Sequence, residues 1–258
     1  MELAGGRLLA VIPHPDDEAY SMAGTLALCA ASGAQIKMIC ATRGEAGNDL
    51  RGVATNKDHL AQIRSVELAR SCAALGVDGL RFLNWPDGRV AEVELDEVVR
   101  ELGGTLTAFE PHVIVTLGSD GAYGHVDHLA MTQWVTLAMA SSPQTAPRRL
   151  LHTAFPKGLF APILRAIRGI RDGALAGDIV EDDLGCERDE VDLVMDLSAA
   201  KLAKLTALSA HASQLKNNDP HSFLRDGFVA HLLDEEWFQL AAGPPLPPGA
   251  THPFVDLI

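Results

Sequence analysis

The chain has 258 residues, 47% of them hydrophobic, and a formal net charge of −13. This length suits one large domain or a domain with an appended lobe, and the apolar content can fill a sizeable core. The acidic balance, without a basic stripe, argues against nucleic acid and anionic membrane as partners. Because no membrane-length apolar run, signal-peptide pattern or CxxC pair is visible, the expected location is the cytoplasm.

Short apolar runs and segments of helical periodicity alternate along the first 140 residues. Continuous apolar runs are typical of buried parallel strands, and the periodic segments between them predict helices. This alternation predicts βαβ units with right-handed crossovers. The predicted strands are 8–12, 35–41, 80–83 and 113–117, and the predicted helices are 19–31, 58–75, 95–109 and 128–139.

The pattern weakens after residue 140. Ser141–Arg149 contains two prolines and predicts a linker, and Pro162–Arg171 predicts a short helix or a lid. The tail 241–253 is rich in proline and glycine and is expected to lie extended on the surface. Two further strands and a helix with Ser198 as its N-cap are predicted, at 151–155, 189–196 and 198–210.

These elements predict an α/β fold with a Rossmann-like, mostly parallel sheet flanked by helices. The core is expected at residues 1–140. Residues 141–258 are expected to form a smaller C-terminal lobe that completes the same domain and its pocket.

Two loops rich in histidine and acid follow two of the predicted strands. Pro13 and Pro15 stop the first strand, so His14 and the acids at 16–18 fall just beyond its carboxyl end. The segment Gly124-His-Val-Asp-His128 follows the strand 113–117 in the same way. Open α/β sheets bind ligands at this edge, so the two loops predict one shared metal site.

The residue types in these loops are those of hydrolytic zinc sites. Two histidines and one carboxylate are a common ligand set, which makes His14, Asp17 and His128 candidate ligands. Water bound there can lose its proton near neutral pH, with Asp16 as the candidate general base. His125 could stabilise an oxyanion as an imidazolium, and Asp127 could orient a histidine. Helix capping is the alternative for these acids, but it accounts for one acid and not for three.

The two motifs, His14-Pro-Asp-Asp-Glu18 and Gly121-Ala-Tyr-Gly-His-Val-Asp-His128, resemble the LmbE-like family, also called the PIG-L or GlcNAc deacetylase family. The resemblance implies a Rossmann-like fold and zinc-dependent N-deacetylation of N-acetylglucosaminyl conjugates and related N-acyl sugars. It extends over about residues 7 to 215, through three further elements: Thr42-Arg-Gly-Glu-Ala-Gly47, Arg64 with Glu67, and His211-Ala-Ser-Gln214.

The resemblance also implies roles for individual residues. It makes His14, Asp17 and His128 the ligands of one Zn²⁺ per chain and Asp16 the base. It makes His125 the group that stabilises the tetrahedral intermediate or protonates the leaving amine. The remaining implied or expected contacts are a tyrosine over the substrate carbonyl at Tyr123, a substrate-binding arginine at Arg64, and pocket residues at Glu45, Asp49 and Arg51. Val126 departs from the family, where proline is usual.

The expected substrate is a soluble GlcNAc conjugate, as in bacillithiol-type thiol biosynthesis, because the chain has no apolar anchor for a glycolipid. An amidase acting on sugar-thiol conjugates is one alternative function. A non-enzymatic metal-binding module is a second alternative, but Asp16 and His125 would be superfluous in it. Formation of a homo-oligomer is left open. A nucleotide-binding protein would need a Gly-x-Gly-x-x-Gly turn where Pro-His-Pro-Asp-Asp stands.

Overall fold

The computed structural model describes residues 2–142, 149–167, 175–177, 179–220 and 232–258. The strands in these ranges are β1 Arg7–Ile12, β2 Gln35–Cys40, β3 Gly79–Phe82, β4 Val113–Thr116, β5 Arg149–Ala154, β6 Leu193–Asp196 and β7 Glu235–Ala242. The α-helices are α1 Asp17–Ser21, α2 Ala23–Ala31, α3 Lys57–Leu75, α4 Leu95–Phe109, α5 Gly121–Gly124, α6 Val126–Ser141, α7 Ala161–Ile167 and α8 Lys201–Ala210.

The seven strands form one sheet in the order β3-β2-β1-β4-β5-β7-β6. Strands β1 to β5 are parallel, and β7 runs antiparallel to both β5 and β6. The predicted α/β fold with a mostly parallel, Rossmann-like sheet is confirmed. The boundary at residue 140 stays a prediction.

Strand β1 shows why the sheet carries helices on both faces. Its successive side chains point to opposite sides. Leu8, Ala10 and Ile12 pack into a cluster with residues of α2, α3 and α8. Leu9 and Val11 pack into a second cluster with residues of α4 and α6. Because both faces are covered, an unbroken apolar run is what a central parallel strand requires.

The predicted elements of the first 140 residues are found, with one division. The predicted helix 19–31 forms two helices, because Met22 takes the non-helical angles φ −150° and ψ 2° between α1 and α2. Helix α3 ends at Gly76, whose φ of +72° gives the left-handed C-cap that favours glycine. Within the described ranges, no helix has the length and hydropathy that crossing a membrane requires.

The C-terminal region differs from expectation at three places. The predicted strand 189–196 is shorter, because β6 covers only Leu193–Asp196 and Arg188–Glu190 form a 3-10 helix. The start of the tail predicted to lie extended on the surface belongs to β7, which is inserted between β5 and β6. Ser198 is not an N-cap, because its amide donates to Asp196 at 2.8 Å and α8 begins at Lys201. Residues 143–148 of the predicted linker and 168–171 of the predicted short helix or lid lie outside the described residues. Ala161–Ile167 form a helix, which agrees with the first of these two alternatives.

The chain order of the strands reverses at β1, which has β2 on one side and β4 on the other. Helical connections leave the sheet in opposite directions at such a point, so a crevice opens beyond the carboxyl ends of the two strands. The loops after β1 and β4 flank this crevice.

Candidate active site

Loops after three parallel strands bring the polar cluster together. His14, Asp16 and Asp17 follow β1, Asp87 follows β3, and the segment 125–128 begins α6 after β4. Nitrogen atoms of His14, His125 and His128 lie within 4.8 Å of one another. The two sequence motifs therefore meet as predicted.

Asp17 lies between two imidazole rings. One carboxylate oxygen, Oδ2, is 3.4 Å from Nδ1 of His14, and the other, Oδ1, is 3.4 Å from Nε2 of His128. The His14 backbone amide donates to Asp17 Oδ2 at 2.8 Å and fixes the carboxylate. Burial by itself would raise the pKa of Asp17, but His128 and His14 hold that pKa well below its usual range. Asp17 is therefore ionised, as a metal ligand must be.

His128 presents an unsatisfied nitrogen to this site. Its Nδ1 is 3.1 Å from the carbonyl oxygen of Gly121, so Nδ1 carries the proton and donates it. Its Nε2 is buried and has no hydrogen-bond partner within the described residues. Burial lowers the pKa of His128, although the nearby Asp17 opposes the shift. A buried lone pair facing Asp17 and His14 is the arrangement that a divalent cation fits.

His14 is oriented by carboxylates on its far side. Its Nε2 lies 3.1 Å from Asp127 Oδ2 and 3.2 Å from Asp87 Oδ1, so this nitrogen carries a proton. Burial opposes the charge, but bonds to Asp127, Asp17 and Asp87 raise the pKa of His14 well above its usual value. Loss of the other proton, on Nδ1, creates a ligand whose basicity the carboxylates increase.

Asp127 is held in turn by the loop after β3. The backbone amides of Gly88 and Val90 donate to its carboxylate at 2.7 and 3.0 Å. Asp127 is fully buried. Its position beside Nε2 of His14 agrees with the orienting role that the sequence predicts, and that role stays a proposal.

His125 differs from its two neighbours. Its Nδ1 accepts a hydrogen bond from the Asp127 amide at 3.2 Å, so the proton of the neutral ring lies on Nε2. Burial and the nearby His14 and His128 lower the pKa of His125 to about 3. The expected imidazolium is therefore absent at neutral pH, and the ring is a neutral N–H donor. His125 also caps α6, so this helix begins at Val126 without the usual proline.

Asp16 lies beside the histidine cluster, and its side chain contacts Arg64 and Tyr20 and not a histidine among the described residues. Its Oδ2 lies 3.1 Å from Arg64 Nη2 and accepts a hydrogen bond from the Tyr20 hydroxyl at 3.3 Å. Burial raises the pKa of Asp16 to about 6, although the Arg64 charge opposes the shift. A carboxyl group that titrates near neutral pH suits general-base work.

The structure gives Arg64 several contacts inside the protein. Its guanidinium donates to the carbonyl oxygens of Pro15 at 2.5 Å and Gly44 at 2.9 Å, and pairs with Asp16. A β-carbon at Gly44 would collide with the guanidinium, and φ is +70° there, so this loop needs glycine. These contacts indicate that Arg64 positions Asp16, and its predicted substrate contact stays a prediction.

Tyr123 lies on the wall of the site. Its ring centroid is 5.3 Å from that of His128 and 5.8 Å from that of His125. The short helix α5 that carries it is distorted, with φ +63° at Ala122. Such strain persists only where the surroundings impose it, and here it turns Tyr123 toward the histidines.

The three other predicted pocket residues have structural contacts. Glu45 accepts a hydrogen bond from the Asp87 amide at 3.0 Å. Asp49 accepts from the amides of Arg51, Val53 and Ala54, which keeps its pKa low and shapes the loop. The Arg51 side chain is exposed. Their contacts with a substrate stay predictions.

Asp87 is a site residue that the sequence reasoning missed. It lies in Trp85-Pro86-Asp87-Gly88, which has the composition of an ordinary turn. The signal that could have found it is its position, because it follows a parallel strand at the same edge of the sheet as the two motifs.

Comparisons with known proteins agree with this geometry. The family model described as GlcNAc-PI de-N-acetylase (PIG-L) matches residues 9–139. The 1D-myo-inositol 2-acetamido-2-deoxy-alpha-D-glucopyranoside deacetylase of Thermobispora bispora is 32% identical over 281 residues, which cover 97% of this chain and 93% of the relative.

Solved structures share the fold at lower identity. GalB, the 4-carboxy-2-hydroxymuconate hydratase of Pseudomonas putida, has a TM-score of 0.68 at 14% identity, covering 95% of this chain and 100% of its own. The N,N'-diacetylchitobiose deacetylase of Pyrococcus horikoshii has a TM-score of 0.62 at 22% identity, covering 98% and 88%. Identities this low establish the fold alone, and a hydratase and a deacetylase both use it.

The sequence matches define a hydrolytic N-deacetylase. The chain belongs to the PIG-L, or LmbE-like, family, and the resemblance in its motifs is confirmed. This family is zinc-dependent. The buried His128 Nε2, which has no hydrogen-bond partner in the part of the chain that the structure describes, lies beside Asp17 and His14 and fits such an ion.

Proposed function

We propose that the protein is a zinc-dependent hydrolase that removes the N-acetyl group from a GlcNAc-inositol conjugate. The zinc ligands in this proposal are His14, Asp17 and His128, with one Zn²⁺ per chain. The observation that carries it is the buried Nε2 of His128, which has no hydrogen-bond partner among the described residues and faces an ionised Asp17. Asp16, which is ionisable and outside the ligand set, directly precedes Asp17 in the chain.

When bound, zinc supplies a Lewis acid that polarises the amide carbonyl and lowers the pKa of water. Asp16 takes the proton from the attacking water. Because Arg64 and Tyr20 both contact Oδ2 of Asp16, we assign the proton transfer to Oδ1. The proton then passes from Asp16 to the leaving amine, so the carboxylate is regenerated with release of acetate and the free amine.

The reaction also requires stabilisation of the negative charge that develops on the carbonyl oxygen, and we assign this role to His125. Its neutral Nε2–H donates a hydrogen bond to that oxygen in the tetrahedral intermediate. A neutral donor performs this role without the imidazolium that the low pKa of His125 disfavours. Tyr123, packed against the same histidines, is proposed to close over the carbonyl from the other side.

The choice of aglycone is supported by the relatives. The T. bispora relative, at 32% identity, and one from Nakamurella multipartita, at 33%, are both named as deacetylases of the GlcNAc-inositol compound. This evidence favours an inositol conjugate over the malate conjugate of bacillithiol-type biosynthesis. Both are low-molecular-weight thiol precursors, so the predicted substrate class is retained.

A direct assay tests this proposal. The zinc-loaded protein is incubated with GlcNAc-inositol, GlcNAc-malate and free GlcNAc, and the released amine is measured. We expect kcat/KM for the inositol conjugate to exceed that for the malate conjugate by about tenfold or more. The control is Asp16→Asn, which should retain zinc and lose the activity. Absence of amine release from all three compounds by the zinc-loaded protein would refute the proposal.

A further inference from the structure

Glu18 is the last acid of the first motif. Within the part of the chain that the structure describes, its side chain forms no hydrogen bond with a proposed zinc ligand. It is fully buried between α1, α3 and the segment after α8. Its Oε1 accepts hydrogen bonds from the Ser71 hydroxyl at 2.5 Å and from His211 Nε2 at 2.6 Å. Its Oε2 accepts from the backbone amide of Asp16 at 3.1 Å.

The amide that Glu18 binds belongs to a strained residue. Asp16 has φ +122° and ψ −22°, a conformation that side-chain-bearing residues rarely adopt. Such a conformation persists only when surrounding contacts impose it. The bond from Asp16 N to Glu18 is one of those contacts, and the backbone carbonyl of Asp16 provides another by accepting from Ala19 N at 2.9 Å.

The Glu18 carboxylate is itself fixed from two distant parts of the chain. Ser71 lies on α3, and His211 follows α8, almost two hundred residues away from Glu18 in sequence. The other ring nitrogen of His211 is buried and has no partner within the described residues, so Glu18 sets the orientation of this ring. Both donors are buried, which leaves the carboxylate few alternative positions.

We propose that Ser71, Glu18 and His211 form a positioning element that holds the Asp16 backbone in its strained conformation and so aims its carboxylate at the substrate. This inference rests on the proposed function, in which Asp16 is the base. A displacement of about 1 Å at a reacting group can lower a rate by about a hundredfold, so such a hold has kinetic consequences.

A second buried pair, formed by Glu67 of α3 and Ser213 of the segment after α8, provides the matched control. Glu67, one turn before Ser71, accepts from the Ser213 hydroxyl at 2.7 Å and from the Ser213 amide at 2.7 Å. This pair also ties α3 to the segment after α8, but neither of its members contacts Asp16 in the described bonds. Loss of either serine hydroxyl removes a buried hydrogen bond to a carboxylate of the same kind.

The experiment compares Ser71→Ala, His211→Leu, His211→Gln and Ser213→Ala, all zinc-loaded. We expect Ser71→Ala and His211→Leu to lower kcat by about tenfold or more with KM and zinc content little changed. His211→Gln, which can place a donor near the Nε2 position, should recover most of kcat. Ser213→Ala should reduce thermal stability about as much as Ser71→Ala and leave kcat within about twofold.

Amide hydrogen exchange over residues 14–18 gives a readout that needs no substrate. We expect exchange at Asp16 to accelerate in Ser71→Ala and His211→Leu and to stay near the wild-type rate in Ser213→Ala. Unchanged exchange and unchanged kcat in Ser71→Ala would overturn the inference, as would an equal kcat loss in Ser213→Ala. If the wild type releases no amine from any substrate, the proposed function fails, while the exchange comparison still decides whether this element holds Asp16.

Discussion

Replacement of Asp16 by asparagine is expected to stabilise the zinc-free protein while it stops the reaction. Asparagine has nearly the same shape, tolerates positive φ better than most residues, and carries no charge. The reaction loses its base, so kcat should fall by about a hundredfold or more with zinc retained. The stability gain follows from the pKa of the carboxyl group that is removed.

Burial raises the pKa of Asp16 from its ordinary value of 3.8 to about 6. Because the folded-state pKa is raised, the stability linked to the protonated group is fully present below pH 3.8 and is lost as pH rises through about 6. A shift of this size corresponds to about 3 kcal/mol at pH 8, and the attraction of Arg64 is already included in it. Asparagine does not ionise, so the variant avoids this loss.

The assay is urea unfolding of the zinc-free protein at pH 8 and pH 5, with a chelator present. Asp16→Asn should raise the free energy of unfolding by about 1 to 3 kcal/mol at pH 8, and by less at pH 5. The neighbouring Asp17→Asn is the matched control of opposite sign, because His128 and His14 hold the pKa of Asp17 below its usual value. That variant should be less stable than the wild type at pH 8. A destabilised Asp16→Asn at pH 8 would refute the assignment of a buried, charge-disfavoured base.

Other expected outcomes concern the metal, the oxyanion and the fold. His14→Ala should lose tight zinc binding. In the wild type, the pKa of His14 is raised, so zinc must displace a proton when it binds. Zinc affinity should therefore rise from about pH 6 to 8, and calorimetry in two buffers should detect the released proton. His125→Ala should retain zinc and lose about a hundredfold in kcat, whereas loss of zinc would make His125 a ligand. Lys204→Met removes the cation paired with the buried Glu236, which Lys204 contacts at 2.6 Å. The free energy of unfolding, measured with urea, should fall by about 3 to 5 kcal/mol, and a change near zero would contradict this account of the pair.

The parts of the fold that follow from local patterns could be predicted from the sequence. Strand β1 is an unbroken apolar run stopped by Pro13, and α3 has helical periodicity ended by Gly76, so each carries its own start or stop signal. Strand β7 carries a weaker signal, because Glu236 lies buried within it and breaks the apolar alternation. That carboxylate accepts from Lys204 and from the amides of Gly24 and Thr25, a tertiary arrangement that no local window contains.

The site divides in the same way. His14, Asp17 and His128 stand in two compact motifs at the ends of strands, so their convergence follows from the parallel sheet. The tautomer of His125 depends on which backbone amide its ring meets, and the contacts of Arg64 depend on how the loop after β2 folds around it. Both are consequences of tertiary packing, which the sequence motifs do not encode.

The measurement that tests the central claim most directly is a zinc titration of the metal-free protein with the deacetylation rate followed in the same samples. The account predicts that the rate with the GlcNAc-inositol conjugate rises linearly with zinc and reaches its plateau at about one equivalent per chain. The Asp16→Asn variant should bind the same equivalent without gaining activity. Full activity in the metal-free protein, or a plateau in zinc binding without any deacetylation by the wild type, would contradict the account.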